Sequence, residues 1–360
     1  MILRITPFDT LFFRTGRPFE LGEDRWAESI FPPYPSTIYG AIRTFLIFNK
    51  PDGLKGFYNG KYEQELGTPD KKGTLKIKGP IIFKKNEFYI KIPYDLIKLK
   101  TEEKYKRLTL LDKQSLFISD LFLSKVLTIT SNEPVEEAKG YLSEANIFDY
   151  MKGIKDEFDV IPDDSLFLIE HKIGIRRDKI RLTSQEHQIY SAPMIRLKKG
   201  VSIIAEIEGI NEIQEGVFTL GGDGKVAKLE TEKDDLLKNI KNVELKFKNK
   251  IFKIIFLTPT IFKNGWLPDW IDEKTLKGTF KGIELKLLSC AIGKHLYIGG
   301  FDIKKKMPKP MYKAVPAGSV YYFEFKKSSP EEIKKLFHFQ TISDINSEQG
   351  FGLSILGEVQ

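Results

Sequence analysis

The 360-residue chain contains one cysteine, Cys290. A lone thiol closes no intramolecular disulfide and builds no Cys-rich zinc site, and such usage fits a reducing cytoplasm, the compartment expected here. There are four histidines, His171, His187, His295 and His338, and no two of them form an H-x-H or H-x-x-x-H pair. A His-based zinc centre therefore has little support, and no metal or other cofactor is expected. No apolar run approaches the ~18 residues of a membrane helix. The nearest, IFKIIFLTPTIF (251–262), is broken by Lys253 and two threonines. The opening MILRITPFDTLFFR carries Arg4 and Asp9 among its apolar residues and lacks the uninterrupted block and cleavage site of a signal peptide. The glycine clusters LGGDGK (220–225), IGG (298–300) and GFGLS (350–354) match neither a Walker loop nor a dinucleotide fingerprint. Ser354 in GLSIL is not in a nucleophile elbow.

What is present is a soluble, core-forming composition, 41% hydrophobic and 29% charged, long enough for two domains. The formal net charge of +8 suits a polyanionic partner without demanding one, because net charge governs association rather than fold.

Local patterns predict α+β structure. MILRI alternates as an opening strand. Ser36 stands where it would cap a helix over 37–48, whose buried stripe would be Ile38, Ala41, Ile42, Phe45 and Leu46. Gly40 in that helix implies close packing or a closely approaching ligand. Residues 50–75 read as an exposed loop, 79–93 as a hairpin turning near Lys85 and Asn86, and 132–142 as a helix start capped by Asn132. Late in the chain, IFKIIFLT, ELKLLSCAI and SVYYFEF are strand-like. SPEEIKKLF opens a helix with Ser329 and Glu332 as a capping box, and GFGLSILGEV forms a last strand behind a glycine turn. Strand, helix, strand at both ends predicts two ferredoxin-like units, divided here as 1–205 and 206–360.

Two segments concentrate positive charge. HKIGIRRDKIR (171–181) sets Lys172, Arg176, Arg177, Lys179 and Arg181 around one acid, with Tyr190 nearby as a ring able to stack on a base. A solvated hairpin face is the competing explanation. GGFDIKKKMPKPMYKAVPAGS (299–319) carries Lys304, Lys305, Lys306, Lys309 and Lys313 in a proline-stiffened stretch suited to holding a nucleic-acid backbone, with an ordinary surface loop as the competing explanation. Arg14 and Arg17 in LFFRTGRPF, and Arg43 on the first helix, place further cations near the start of the core. Catalytic candidates are few. His171 and His187 flank the basic arm and could serve as acid or base in RNA cleavage, although a lone histidine is more often structural.

FRTGRPF, PPYPSTIYGAIRT, GIRRDKIRLTSQEHQIY, IGGFDIKKKMPKPMYKAVPAGSVYYF and GFGLSILG, in this order, resemble the subunits of type III-B CRISPR (Cmr) effector complexes that hold the 5′ end of the guide RNA. These belong to the repeat-associated mysterious protein (RAMP) superfamily. Matching is weaker over 50–160 and 205–285. The resemblance implies a non-catalytic protein of two ferredoxin-like domains with inserted loops and a thumb-like β-hairpin. It would grip the repeat-derived 5′ tag of the CRISPR RNA, dock on the large polymerase-type subunit beside other RAMP subunits, and meet target RNA only indirectly. The implied RNA-contacting set is Arg14, Arg17, Ser36 and Arg43; Lys172, Arg176, Arg177, Arg181 and Tyr190 on the arm; Lys304, Lys305, Lys306, Lys309 and Lys313; and Gly350 and Gly352 in the last glycine turn. The competing reading within the superfamily is an endoribonuclease that processes precursor CRISPR RNA. A scaffold whose basic surfaces meet protein acids is a third.

Overall fold

The computed structural model describes residues 1–16, 28–113, 123–177, 184–302 and 304–360, with only the backbone described at 175–177 and 184–190. The chain is mixed α/β, 17% helix and 41% strand. Among the described residues no helix is long and apolar enough to cross a membrane. Contacts divide the chain into two compact units, each built from three separate segments. The first comprises Met1–Pro80, Asp164–Lys233 and Tyr297–Tyr312; the second comprises Ile81–Asp163, Asp234–Leu296 and Lys313–Gln360. The 205/206 division expected from sequence falls inside the strand Val201–Glu208.

In the first unit the strands stand in the order Gly216–Thr219, Val226–Glu232, Ile2–Pro7, Val201–Glu208, Lys76–Lys84. Ile2–Pro7 is antiparallel to both of its neighbours. Its alternation works as the sequence predicts: Leu3 and Ile5 are fully buried. Arg4 points to the other face, where it meets Glu232 on one neighbouring strand and donates to Ser202 Oγ on the other at 3.0 Å. The helix Pro35–Asn49 covers the buried face, with Ile38, Tyr39, Ile42, Leu46 and Ile47 in the core and Ala41 and Phe45 partly buried against it.

Three details depart from expectation. Tyr34, not Ser36, occupies the N-cap, because Pro35 at the first helical position has the right fixed φ and no N–H to leave unpaired; Ser36 makes no cap bond. Gly40 is exposed with nothing within 4 Å of where a Cβ would lie, so helix packing is not its reason. The expected 50–75 loop contains short helices, Gly53–Tyr58 and Glu63–Leu66, because Phe57, Tyr62 and Leu66 are buried in the same core. Phe167–Arg177 and Ser184–Leu197 form a long antiparallel hairpin with an irregularity between Ile175 and Arg177.

The second unit contains a sheet ordered Lys277–Phe280, Ile283–Ala291, Val320–Lys326, Ile251–Phe256, Leu353–Glu358, Gln340–Thr341. The helix Pro330–Phe337 has the expected capping box: Glu332 N–H donates to Ser329 Oγ at 3.2 Å, and Ser329 N–H donates to Glu332 Oε2 at 2.8 Å. Lys85 and Asn86 make the expected two-residue turn, both at positive φ, between paired Lys84 and Glu87. The helix expected from Asn132 is absent. Val135–Glu137 instead pairs with Leu96–Leu99, and the helix begins at Glu144 and runs to Met151. Strand pairing outweighs a weak local start signal there.

Lys253, which interrupts an apolar run, is buried in this unit with Asp95. Its Nζ lies 3.4 Å from Asp95 Oδ2 and 3.4 Å from the centroid of the Tyr150 ring. Tyr150 and Tyr322 each donate a 2.5 Å hydrogen bond to the Asp95 carboxylate. Burial pushes the Lys253 ammonium down to about 8, against the opposing pull of Asp95.

Candidate nucleic-acid interface

Segment 11–16 of the first unit is where the predicted cationic elements converge. Leu11 exchanges backbone bonds with Ile195 of the long hairpin at 2.8 and 2.7 Å. The Phe12 carbonyl accepts from Gly222 N–H at 2.8 Å, which seats the GGDG turn against the segment. Gly16 meets the strand leading into the lysine loop: a Cβ on it would lie 2.9 Å from Tyr297 O and 3.1 Å from Gly299 N, so only glycine permits this approach. Arg14, between these anchor points, is exposed and pairs through its backbone with Ser29. Arg17 lies outside the described residues.

The lysine loop folds back as a minimal ladder, Phe301 opposite Pro308 and Asp302 opposite Met307. Lys309 N–H donates to Gly300 O at 2.9 Å. Asp302 accepts the Lys305 N–H at 3.0 Å, and this bond leads the causes that lower its carboxyl below the ordinary range. Lys304 pairs with Asp70 at 2.6 Å. Lys305, Lys306 and Lys309 are exposed and make no ion pair among the described residues. Lys313, in the second unit, is also exposed.

Arg43 departs from its expected role. Its Nε donates to Leu66 O at 2.7 Å, its second guanidinium nitrogen to Thr68 O at 3.0 Å, and its carbon sits 4.9 Å from the Phe57 ring centroid. Burial lowers its affinity for the proton below that of an ordinary arginine. The guanidinium faces inward and supports the 66–68 backbone just ahead of Asp70, the partner of Lys304, so it is a positioning residue rather than an open phosphate ligand.

On the hairpin, Lys172 forms an exposed 2.7 Å pair with Asp223 of the GGDG turn, which lowers the Asp223 carboxyl. The backbones of Arg176, Arg177 and Tyr190 lie on the two strands; their side chains, and Arg181 entirely, lie outside the description. Arg196, a cation the sequence reading passed over, is held by Glu170 and Asp9.

Gly350 and Gly352 do not present their backbones to a ligand. Both are buried in the second unit. Gly350 N–H donates to Ser347 O at 3.0 Å and Gly352 N–H to Pro259 O at 2.9 Å. Gly352 has φ +72°, and a Cβ there would fall 2.5 Å from Ser343 N. This glycine turn serves packing, with its N–H donors already used.

A family model described as CRISPR-associated protein (Cas_Cmr3) matches residues 3–359. The chain belongs to the Cmr3 family. A curated relative, the CRISPR system CMR subunit Cmr3 of Saccharolobus solfataricus, is 25% identical over 98% of this chain and 94% of its own length. The fold is similar to a chain in the structure of a type III-B Cmr-beta bound to cognate target RNA and AMPPnP, with TM-score 0.54 and 19% identity over 89% of this chain and 86% of that one. A second structure, of Cmr-beta bound to cognate target RNA, gives 0.52 and 20% over the same shares.

Within this family member the histidines divide by environment. His338 is buried, with Nε2 2.6 Å from Ile240 O and Nδ1 accepting from Leu356 N–H at 3.1 Å, so the ring is the neutral Nε2–H tautomer. Burial pushes it down to about 4. His171 Nδ1 lies 3.2 Å from Ser191 Oγ; the side chain of His187 lies outside the description. Among the described residues no group of His, Cys, Asp or Glu is arranged to hold a metal ion.

Proposed function

We propose that this Cmr3-family chain is a non-catalytic CRISPR RNA-binding subunit of a type III-B effector complex acting in antiviral defence in the cytoplasm. It grips the 5′ repeat-derived tag of the guide and docks on the large polymerase-type subunit beside neighbouring RAMP subunits. The observation that carries the reading is the convergence on segment 11–16. One short stretch of backbone is bonded to the hairpin and to the turn that pairs with Lys172, and at Gly16 it packs closely against the approach of the lysine loop. Arg14 and the lysine loop thereby share a surface able to track a phosphate backbone.

Strand order supports the RAMP reading. In chain order, Ile2–Pro7, Lys76–Lys84, Val201–Glu208 and Val226–Glu232 stand 4-1-3-2 across the first unit's sheet, and so do Ile251–Phe256, Ile283–Ala291, Val320–Lys326 and Leu353–Glu358 in the second. That is the order of a ferredoxin-like βαββαβ fold. The first unit retains the helix after its first strand, and the second retains the helix before its last.

The test is to purify the assembled complex, crosslink it by ultraviolet light and sequence the RNA attached to this chain. Crosslinks concentrated at the 5′ tag are expected. Crosslinks spread evenly along the guide, or none, would overturn the assignment.

A further inference from the structure

The lysine loop carries apolar side chains that its charges do not explain. Phe301 is 58% exposed, and Met307 and Met311 are about as open. Phe301 stands directly across the ladder from Pro308. Cross-strand partners project to one face, so its ring has a proline beside it on a surface open to solvent. Among the described residues it stacks on no other ring. Lys304, Lys305 and Lys306 follow it in the turn, and Lys309 runs beside Gly300, its Cδ 3.4 Å from where a Cβ on that glycine would lie.

We propose that Phe301 is a stacking platform for an unpaired base, so that the lysine loop selects single-stranded RNA over duplex. The inference rests on the reading of this loop as an RNA contact and adds the state of the RNA it accepts. An apolar protein pocket would take the ring only by drawing the neighbouring ammonium groups out of water, at a desolvation cost. An acidic protein surface would meet the lysines and leave the ring exposed. A duplex offers phosphates, but its base faces are covered by their own stack. A single strand offers phosphates to Lys305, Lys306 and Lys309 and a bare base face to Phe301, which satisfies both features together. Phenylalanine has no polar handle, so the platform tolerates any base.

The test uses the full chain, a fluorescently labelled single-stranded RNA and the duplex of the same sequence, read by anisotropy over a salt series. Phe301→Ala is expected to weaken single-strand binding roughly 5- to 150-fold with an unchanged salt slope. Phe301→Tyr should restore the affinity, and duplex binding should not respond to either change. The double reversal of Lys305 and Lys309 to Glu should instead lower the salt slope. If the reversal weakens binding but Phe301→Ala does not, stacking is wrong and the RNA contact stands. If the reversal has no effect, the RNA reading of the loop fails and stacking with it. Loss of another subunit from the complex in Phe301→Ala, with single-strand affinity intact, would assign the ring to a protein partner and overturn the proposal.

Discussion

Replacing Asp95 by Asn tests how the second unit tolerates a charge in its interior. Asp95 and Lys253 are 0% and 1% exposed, and the carboxylate also accepts from Tyr150 and Tyr322. Removing one member of a buried ion pair leaves the other uncompensated, which costs about 3–5 kcal/mol. Asn can still accept from a tyrosine hydroxyl but cannot balance the ammonium, so Asp95→Asn belongs in the lower part of that range and Asp95→Ala at the top. Lys253→Met should cost less, because the carboxylate keeps both tyrosine donors. The pair Asp95→Asn with Lys253→Met should recover much of the loss, since apolar replacement of a buried pair is often near neutral. For a domain of 150–250 residues each kcal/mol moves Tm by about 2–4 °C, so Asp95→Asn should lower the second unit's melting transition by roughly 6–12 °C. Calorimetry on the four proteins completes the cycle. Strictly additive single changes, or an unmoved transition in Asp95→Asn, would show that the buried contacts are not coupled.

His338 should make the protein acid-sensitive. Its folded value of about 4 lies below its unfolded value of 6.5, so the unfolded state binds the extra proton between those pH values. The stabilisation is complete above about pH 6.5 and fades as pH falls towards 4, by about 3 kcal/mol in total; denaturation curves across this window should lose that slope in His338→Gln. The double reversal of Lys305 and Lys309 to Glu should reduce the salt slope of tagged-RNA binding by roughly 1.4, about 0.7 per lost phosphate contact, while stability moves by less than ~1 kcal/mol. Arg43→Ala should destabilise the first unit by about 2–4 kcal/mol, through two lost charged donors and the ring contact, and proteolysis within 66–71 should accelerate. Gly352→Ala should destabilise the second unit measurably by thermal melting, because a Cβ there collides with backbone at a positive φ.

Features that depend on neighbours a few residues apart were legible in the sequence. The Ser329–Glu332 capping box, the Lys85–Asn86 turn and the alternation of Leu3, Arg4 and Ile5 are short-range patterns, and each stands in the fold as predicted. The two basic segments were also legible, because clustered charge is a property of composition. Long-range placement decided the rest. Nothing near Lys253 announces that its partner is Asp95, 158 residues away. Arg43 reads as a surface cation until Leu66 and Thr68 turn their carbonyls towards it. Gly350 and Gly352 resemble a ligand loop until Ser347 and Pro259 take their N–H donors. Segment 11–16 draws hairpin, turn and lysine loop together through contacts spanning most of the chain. Sequence sets which groups are available and how the backbone bends locally. Whether a cation or an N–H is used inside the protein or left for a partner depends on which distant carbonyl reaches it first, and only the tertiary packing decides that.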